Sequence, residues 1–276
     1  MTFLTRRAAL GAAFAVPAVA AGLLPRLAHA DTIADVKKRG KVIIGIQGDN
    51  PPFGFVNTQG VQDGFDADVG RLFAAFLGVQ AEFSPLAVAN RIPALTTGRV
   101  DVLFATMAML PDRAKAVQYS KPYVANYITL TAPKDVVVKT NADMGKLVIG
   151  VPRSSVQDTQ VTKNAPEGTT IRRFDDDAAT IQAMLSGQVQ AVGGNMFYLQ
   201  RLNAQKPGMF EDKLEFTRLY NGACGRLGDK EMNTALNSFI DAMIAKGDLT
   251  APYQKWMGMA PPKFPTAVDG VPFTVG

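Results

Sequence analysis

The chain has 276 residues, a formal net charge of +5 and 47% hydrophobic residues, which is typical of one large or two ordinary globular domains. Residues 1–30 hold three arginines and no acidic residue, so residues 31–276 have a net charge of +2. These residues contain no run of Lys and Arg interleaved with aromatic residues, which argues against a nucleic acid partner.

The first segment, MTFLTRRAALGAAFAVPAVAAGLLPRLAHA, is typical of an export signal. A basic start is followed by an apolar stretch and by Ala28-His29-Ala30, which resembles a signal peptidase site. We therefore predict a cleaved signal peptide over residues 1–30 and a periplasmic protein. Thr5-Arg6-Arg7 favours the twin-arginine route over general secretion. An uncleaved membrane anchor is the alternative, and Pro17 within the apolar stretch argues against it.

Several classes of catalytic and metal site are excluded by composition. His29 is the only histidine, so the predicted mature chain has no Ser-His-Asp or Cys-His catalysis and no His-ligated metal. Cys224 is the only cysteine, which rules out an intramolecular disulfide, and we expect it to be buried. No P-loop motif is present. We expect neither a metal nor a cofactor.

Two sequence patterns occur twice in the same order. GKVIIGIQ at residues 40–47 resembles GKLVIGVP at 145–152, and IPALTTGRVDVLFAT at 92–106 resembles IQAMLSGQVQAVGGN at 181–195. Each copy begins with a strand pattern and ends with a helix, a glycine and a strand. This repetition predicts a duplicated α/β architecture.

The first copy begins with a strand in KVIIGI and a loop in NPPFGF, where two prolines oppose regular structure. The segment GFDADVGRLFAAFLG predicts a helix with Asp66 as its N-cap and Gly78 as its C-terminal stop. A second strand in VQAEFSPL, a short helix in RIPALTTG and a third strand in RVDVLFATM follow.

The second copy predicts a strand in LVIGV, a helix in SVQDTQVTKN, a strand in TIRRF, a helix in DDAATIQAMLSG and a strand in VQAVGG. The acidic run at residues 175–177 is interpreted as a helix cap with first-turn charges rather than a metal site. KPYVANYITLTAPKD and LEFTRLYNGACG are predicted to cross between the copies. KEMNTALNSFIDAMIAKG predicts a C-terminal helix with Met232, Leu236, Phe239 and Met243 on one face.

Two α/β lobes joined by two crossing strands leave a cleft, and ligands collect outside the carboxyl ends of such strands. Arg113 follows a strand end there and presents a planar fork suited to a carboxylate. Ser155 lies at a helix start, which favours an anion, and Phe53 could form an apolar wall. The alternatives are a surface salt bridge for Arg113 and a solvated side chain for Arg91.

The motifs PPFGF, GFDADV, NRIPAL, GRVDV, PDRAKAVQYSKPY, RSSVQDT and YQKWMG occur in this order. With them, residues 35–258 resemble the type 3 extracytoplasmic solute-binding proteins, the polar amino-acid-binding components of bacterial ABC importers. The resemblance implies a periplasmic binding protein-like fold whose lobes comprise residues 31–124 with 219–276, and residues 125–218. It also implies closure on the ligand and delivery to a separate permease and ATPase. We expect a monomer.

The resemblance implies that Arg113 holds the α-carboxylate of an amino acid, that Ser155 adds a contact to it, and that Arg91 reaches a side-chain carboxylate in binders of acidic amino acids. Several positions depart from the family pattern. Ala108 replaces a hydroxyl residue, Asn50 an aromatic residue, and Asn195 the aspartate that takes the ligand ammonium. Ser154-Ser155 replaces a Gly-Thr or Gly-Ser turn, and CGRLGD is shorter than the corresponding strand. The candidate ligand-binding residues are Asn50, Phe53, Arg91, Thr106, Ala108, Arg113, Ser155 and Asn195.

The sequence favours solute capture as the function. The expected ligand carries a carboxylate and is an amino acid or a related compound, with a preference for an acidic one. The alternative is a periplasmic dehydratase on the same fold, similar to cyclohexadienyl dehydratase, which would need an acid to protonate a leaving hydroxyl. Asn195 argues against this enzyme. A third possibility is a sensor module that presents its ligand to a membrane partner.

Overall fold

The computed structural model describes residues 32–275, so the predicted signal peptide at 1–30 lies outside it. No helix among the described residues is long and apolar enough to cross a membrane. Short 3-10 helices lie at Val88–Asn90 and Asn141–Lys146. The other helices and strands are, in chain order, α1 (Thr32–Arg39), β1 (Lys41–Gln47), β2 (Asp49–Asn50), β3 (Gly54–Val56), β4 (Gln62–Asp63), α2 (Phe65–Leu77), β5 (Gln80–Leu86), α3 (Arg91–Thr96), β6 (Val102–Leu103), α4 (Pro111–Ala114), β7 (Val117–Pro133), β8 (Val148–Pro152), α5 (Val156–Asn164), β9 (Thr170–Phe174), α6 (Asp177–Leu185), β10 (Ala191–Asn195), α7 (Tyr198–Gln205), β11 (Phe210–Arg226), α8 (Lys230–Lys246) and α9 (Thr250–Met257).

An eight-stranded sheet runs through the whole fold in the order β5-β1-β6-β11-β7-β10-β8-β9. On one side, β1 pairs in parallel with β5 and β6; on the other, β8 pairs in parallel with β9 and β10. The order is therefore symmetric about the central β11–β7 pair. This symmetry confirms the duplicated α/β architecture predicted from the sequence, with two lobes joined by two crossing strands.

The crossing strands β7 and β11 have 17 residues each and pair antiparallel from Pro133–Phe210 at one end to Val117–Arg226 at the other. The predicted lobe boundaries, after residues 124 and 218, fall inside these two strands. They lie almost opposite each other, because Ala125 pairs with Tyr220 and Tyr127 with Arg218. The boundaries themselves stay a prediction.

The predicted apolar residues pack as the periodicity indicates. The α8 residues Met232, Leu236, Phe239 and Met243 are all buried. In the same core, Phe73 of α2 contacts Phe104 and Phe239, with ring centroids 5.5 and 5.3 Å apart. Cys224 is fully buried in the neighbouring cluster, as predicted.

The region that follows β1 contains more regular secondary structure than predicted. The segment predicted as a loop around Pro51 and Pro52 forms two strands of a small three-stranded sheet, β2-β3-β4. Its strands are two or three residues long, which is too short for a periodic pattern to reveal. The third predicted strand of this lobe is only two residues long, because the chain leaves the sheet after Leu103.

Asp66 is not the N-cap of α2, and that prediction is wrong. The helix begins after Gly64, which offers no side-chain cap, and it ends at Gly78 in the left-handed conformation, as predicted. The Asp66 carboxylate lies inside the protein instead. It accepts hydrogen bonds from the Tyr123 hydroxyl at 2.7 Å and the Thr106 backbone N–H at 3.0 Å. Asp66 thereby connects α2 to β7 and to the loop after β6.

This burial predicts a pH-dependent stability. Burial raises the pKa of Asp66 from 3.8 to about 7, so the folded protein binds this proton more tightly than the unfolded chain. The stabilisation that this proton gives the folded protein is complete below the pKa of Asp66 in the unfolded chain. It is lost as the pH rises through the pKa of Asp66 in the folded protein. Asp66→Asn does not titrate, so from about pH 5 to about pH 8 its unfolding free energy should rise relative to wild type by about 2–4 kcal/mol.

Urea unfolding of both proteins at the two pH values measures this difference. Asp135→Asn, which changes an exposed carboxylate after β7, is the matched control and should show no such trend. A constant difference between wild type and Asp66→Asn would contradict the assignment.

Candidate functional site

A cavity of about 20 Å³ lies between the two lobes, on the line of the β7–β11 crossing. This volume holds little more than one water molecule, so the lobes are close together in this conformation. Seven of the eight residues predicted from the sequence line it; Phe53 does not. The lining residues are Gln47, Asn50, Val88, Arg91, Thr106, Ala108, Arg113, Asn126, Ile128, Ser155, Val156, Gln157, Asp177, Asn195, Leu219 and Asn221.

Arg113 is placed in the cavity by the short helix α4. Its Nη2 donates a hydrogen bond to the Ser154 carbonyl at 3.2 Å, across the lobe interface. Its Nη1 is buried and finds no acceptor among the described residues. An unpaired, buried guanidinium N–H is unfavourable on its own and is suited to an anionic group. Arg113 is thus the clearest anion-binding group of the site.

Ser155 is the N-cap of α5, on the opposite lobe from Arg113. Its Oγ accepts a hydrogen bond from the Asp158 backbone N–H at 3.0 Å, which leaves the hydroxyl proton free to donate elsewhere. Ser155, Val156 and Gln157 all line the cavity, so the N-terminus of this nine-residue helix contributes to it. The helix dipole adds positive potential to that of Arg113.

Arg91 is buried but mostly engaged with the backbone. Its Nε donates to the Val88 carbonyl at 3.0 Å, and its Nη1 donates to the Ala105 and Thr106 carbonyls at 2.6 and 3.3 Å. Burial and the charge of Arg113 lower the pKa of Arg91 to about 10. In this conformation Arg91 fixes the end of β6 and its loop, where Thr106 has a positive φ of 47°. Its predicted contact with a ligand carboxylate stays a prediction.

Asn50 and Asn195 meet across the lobe interface. Asn195 Nδ2 donates to Asn50 Oδ1 at 2.9 Å, and Asn195 Oδ1 accepts from the Phe197 N–H at 2.9 Å. Asn50 Nδ2 donates in turn to Gln47 Oε1 at 3.1 Å. Both polar atoms of Asn195 are therefore engaged by the protein, Nδ2 across the lobe interface and Oδ1 within its own lobe.

Ala108 has no side-chain hydroxyl, and its carbonyl oxygen already has a hydrogen-bond partner within the protein. Its carbonyl accepts a hydrogen bond from the Tyr119 hydroxyl at 2.6 Å. Thr106 retains a hydroxyl, which donates to Gln47 Oε1. The side-chain hydrogen-bonding groups on this side of the cavity are thus those of Thr106 and Gln47, and position 108 can contribute only its backbone.

Phe53 departs from the predicted apolar wall. It is fully buried in the lobe core, edge-on to Phe197 with ring centroids 5.4 Å apart. The turn through Pro51 and Pro52, closed by the Phe53 N–H to the Asn50 carbonyl at 2.9 Å, directs its ring inwards. The apolar lining comes instead from residues that the sequence did not single out: Val88, Ile128, Val156 and Leu219.

Asp177 and Asn221 were missed by the sequence interpretation. Asp176 caps α6 as predicted, but Asp177 points into the protein and lines the cavity. Its spacing was a usable signal, because Asp177 lies four residues before the buried Ile181 on the same helix face. Asn221 lies in β11, where the order of polar and apolar residues along the strand gives no comparable signal.

Comparisons with known proteins show the family to which the chain belongs. The model of the bacterial extracellular solute-binding proteins, family 3, matches residues 42–259, which confirms the resemblance given by the motifs. The L-cystine-binding protein TcyJ of Escherichia coli (strain K12) is 27% identical over 255 residues, which cover 91% of this chain and 96% of that protein.

Two solved structures give the same picture. The solute receptor for L-cysteine of Neisseria gonorrhoeae has a TM-score of 0.77 and 28% identity, covering 82% of this chain and 93% of its own. The ancestral amino acid-binding protein AncCDT-1, a precursor of cyclohexadienyl dehydratase, has a TM-score of 0.75 and 28% identity, covering 82% and 99%.

The hydrogen bonds across the lobe interface predict how the lobes separate. Arg201 of α7 donates to the Asp49 carbonyl at 3.1 Å and to Asn50 Oδ1 at 3.5 Å, both on the other lobe. Arg201→Met removes both bonds, about 1–3 kcal/mol, and should shift the closed–open equilibrium by roughly five- to hundredfold. Small-angle scattering should show a larger radius of gyration for the unliganded variant.

Arg172→Met is the matched control, because Arg172 is exposed on β9 and donates to the Gln188 carbonyl of the same lobe. An unchanged radius for Arg201→Met, or an equal increase in the control, would contradict a role of this interface in closure.

Proposed function

This chain belongs to the bacterial extracellular solute-binding proteins of family 3, and we propose that it captures an amino acid or a related solute for an ABC importer. The observation that carries this proposal is the buried, unpaired guanidinium N–H of Arg113 beside an interlobe cavity. It suits a carboxylate, the group that all amino acids share. The N-terminus of α5 would add to the binding of the same anion.

The relatives support an amino acid as the class of ligand. Two are named for binding L-cystine and L-cysteine, and a third is described as an ancestral amino acid-binding protein. The cavity lining contains Arg91 and Arg113 but only one carboxylate, that of Asp177. The excess of positive charge favours a neutral or acidic amino acid over a basic one. The leaning towards an acidic ligand remains a prediction.

Capture requires the lobes to open, because the cavity is far smaller than any amino acid. We propose that the lobes separate by bending of β7 and β11 and close on the solute, a hinge closure of the usual kind. The closed protein then delivers the solute to a separate permease with its own ATPase. A periplasmic location and a monomeric state complete the proposal.

The dehydratase alternative rests on one observation. Asp177 is an acid in the cavity, and burial raises its pKa, so it could protonate a leaving hydroxyl. The relatives named above are binding proteins, and only AncCDT-1 is described in connection with such an enzyme. Incubation with a cyclohexadienol substrate would form an aromatic product, detected by its ultraviolet absorbance, if this alternative held.

A thermal-shift screen with amino acids and simple carboxylic acids tests the proposed function directly. A ligand at roughly 100 times its Kd should stabilise the protein by about 2.7 kcal/mol. We expect stabilisation by at least one neutral or acidic amino acid. Absence of a shift with every amino acid and carboxylic acid would contradict solute capture of this class.

Arg113→Met tests the carboxylate contact itself. The substitution keeps much of the apolar stem and removes the guanidinium, so affinity for the solute found in the screen should fall by about 2–5 kcal/mol, roughly thirtyfold or more. The unliganded melting temperature should change little, because Arg113 makes one hydrogen bond to the protein. Arg113→Lys should restore the affinity only in part, since an ammonium cannot form the bidentate contact.

Titration calorimetry and thermal unfolding of the same variants separate binding from stability. Arg99→Met is the matched control, because Arg99 is exposed beyond α3 and outside the cavity. Unchanged affinity in Arg113→Met, together with reduced unliganded stability, would assign Arg113 a structural role instead.

A further inference from the structure

We propose that Asp177 binds an ammonium group of the same solute whose carboxylate Arg113 holds. The inference rests on the proposed function and makes it more specific, since it requires a zwitterionic ligand. It also answers a question left by the sequence, where Asn195 supplies no charge for such a group. The carboxylate would come from the start of α6 instead of from β10.

Asp177 is a buried carboxyl group that receives no hydrogen bond from a cation of the described residues, although the charges of Arg201 and Arg91 partly oppose the rise in its pKa that burial causes. It is 1% exposed and lines the interlobe cavity. Its Oδ1 accepts from the Tyr198 hydroxyl at 2.6 Å, and its Oδ2 accepts from Gln47 Nε2 at 2.9 Å. Both donors are neutral, and each carboxylate oxygen can accept a further bond. A buried carboxylate is costly unless a cation compensates it.

The nearest arginines direct their hydrogen bonds elsewhere. Arg91 donates to backbone carbonyls, and Arg201 donates to the Asp49 carbonyl and to Asn50. Asp49 brings a second negative charge close to Asp177. Its own carboxylate accepts the Ala178 N–H at 3.0 Å, and burial together with Asp177 raises the pKa of Asp49 to about 6. Two adjacent carboxyl groups make this part of the interface suitable for a cation.

The position of Asp177 is fixed by close packing. Tyr198, which donates to Asp177, lies directly against β10 at Gly194. A Cβ at Gly194 would come within 2.3 Å of the Tyr198 ring, so only glycine permits this approach. The Tyr198 hydroxyl thereby holds the Asp177 carboxylate at the cavity, although Tyr198 itself is not one of the lining residues.

Asn221 provides an independent sign that the cavity binds a polar solute. It is fully buried in the same lining, and neither its Nδ2 nor its Oδ1 has a hydrogen-bond partner among the described residues. Buried amides are nearly always paired, so a solute with both donors and acceptors would satisfy it. An amino acid carries both kinds of group.

Matched pairs of solutes test the proposal on the wild-type protein. Two pairs differ by one α-ammonium group: L-glutamine with glutaramate, and L-glutamate with glutarate. A third pair, L-cystine with 3,3′-dithiodipropionate, differs by two α-ammonium groups. L-lysine differs from L-norleucine by a side-chain ammonium. We expect titration calorimetry to show at least one ammonium-bearing member binding roughly thirtyfold or more tightly than its partner. A preference in the first three pairs assigns the group to the α-carbon; a preference confined to lysine assigns it to the side chain.

Asp177→Asn should abolish this preference while leaving the affinity for the ammonium-free member nearly unchanged. A merely structural role would weaken both members equally. Asp176→Asn is the matched control, because asparagine caps a helix as well as aspartate and this residue lies outside the cavity. The control should keep the wild-type preference.

Equal binding of both members by wild type would overturn the proposal, even if Asp177→Asn failed to fold. So would a preference that survives in Asp177→Asn. In either case the carboxylate contact of Arg113 and solute capture would stand. A solute found in the thermal-shift screen outside these pairs is compared with its own ammonium-free analogue in the same way, and only the absence of any hit in that screen would contradict the proposed function itself.

Discussion

The antiparallel pairing of β7 with β11 is the constraint on which the remaining structure depends. These two strands form the centre of the eight-stranded sheet. β6 pairs with β11 and β10 pairs with β7, and the outer strands attach through β6 and β10. Register shifts interrupt the pairing around Asn221, Gly222 and Cys224. Such bulges bend and twist a strand locally. They place Asn221 in the cavity at the point where the two lobes meet.

Around this pair, a few buried polar groups determine the shape of the site. Asp66 and Arg91 bind the loop after β6 from two sides, and together they hold Thr106 in its unusual backbone conformation. The same loop leads to α4 and Arg113. A buried carboxyl group and a buried guanidinium therefore bind the backbone of this loop, and the solute-facing groups are positioned as a result.

The sequence predicted the architecture better than the direction of individual side chains. The repeated strand and helix patterns sufficed for the symmetric sheet, because apolar periodicity reports which face of an element is covered. Arg113, Ser155 and Asn195 could be placed beside the cavity because each lies at or after the carboxyl end of a strand. Phe53 could not, since a tight turn directs its ring inwards. Asp177 was missed although its spacing from Ile181 indicated a buried direction. Capping preference likewise gave the wrong role to Asp66, where a partner 57 residues away overrides the local rule.

The small volume of the interlobe cavity has a kinetic consequence. A solute can enter or leave only when the Asn50–Asn195, Gln47–Asp177 and Arg113–Ser154 contacts open, because the cavity behind them is far smaller than an amino acid. Its residence time is then limited by the opening rate of the liganded protein. A solute that contacts both lobes slows this opening, so a solute that shifts the balance further towards the closed form stays bound longer. A membrane partner that opens the lobes would thereby control the moment of release.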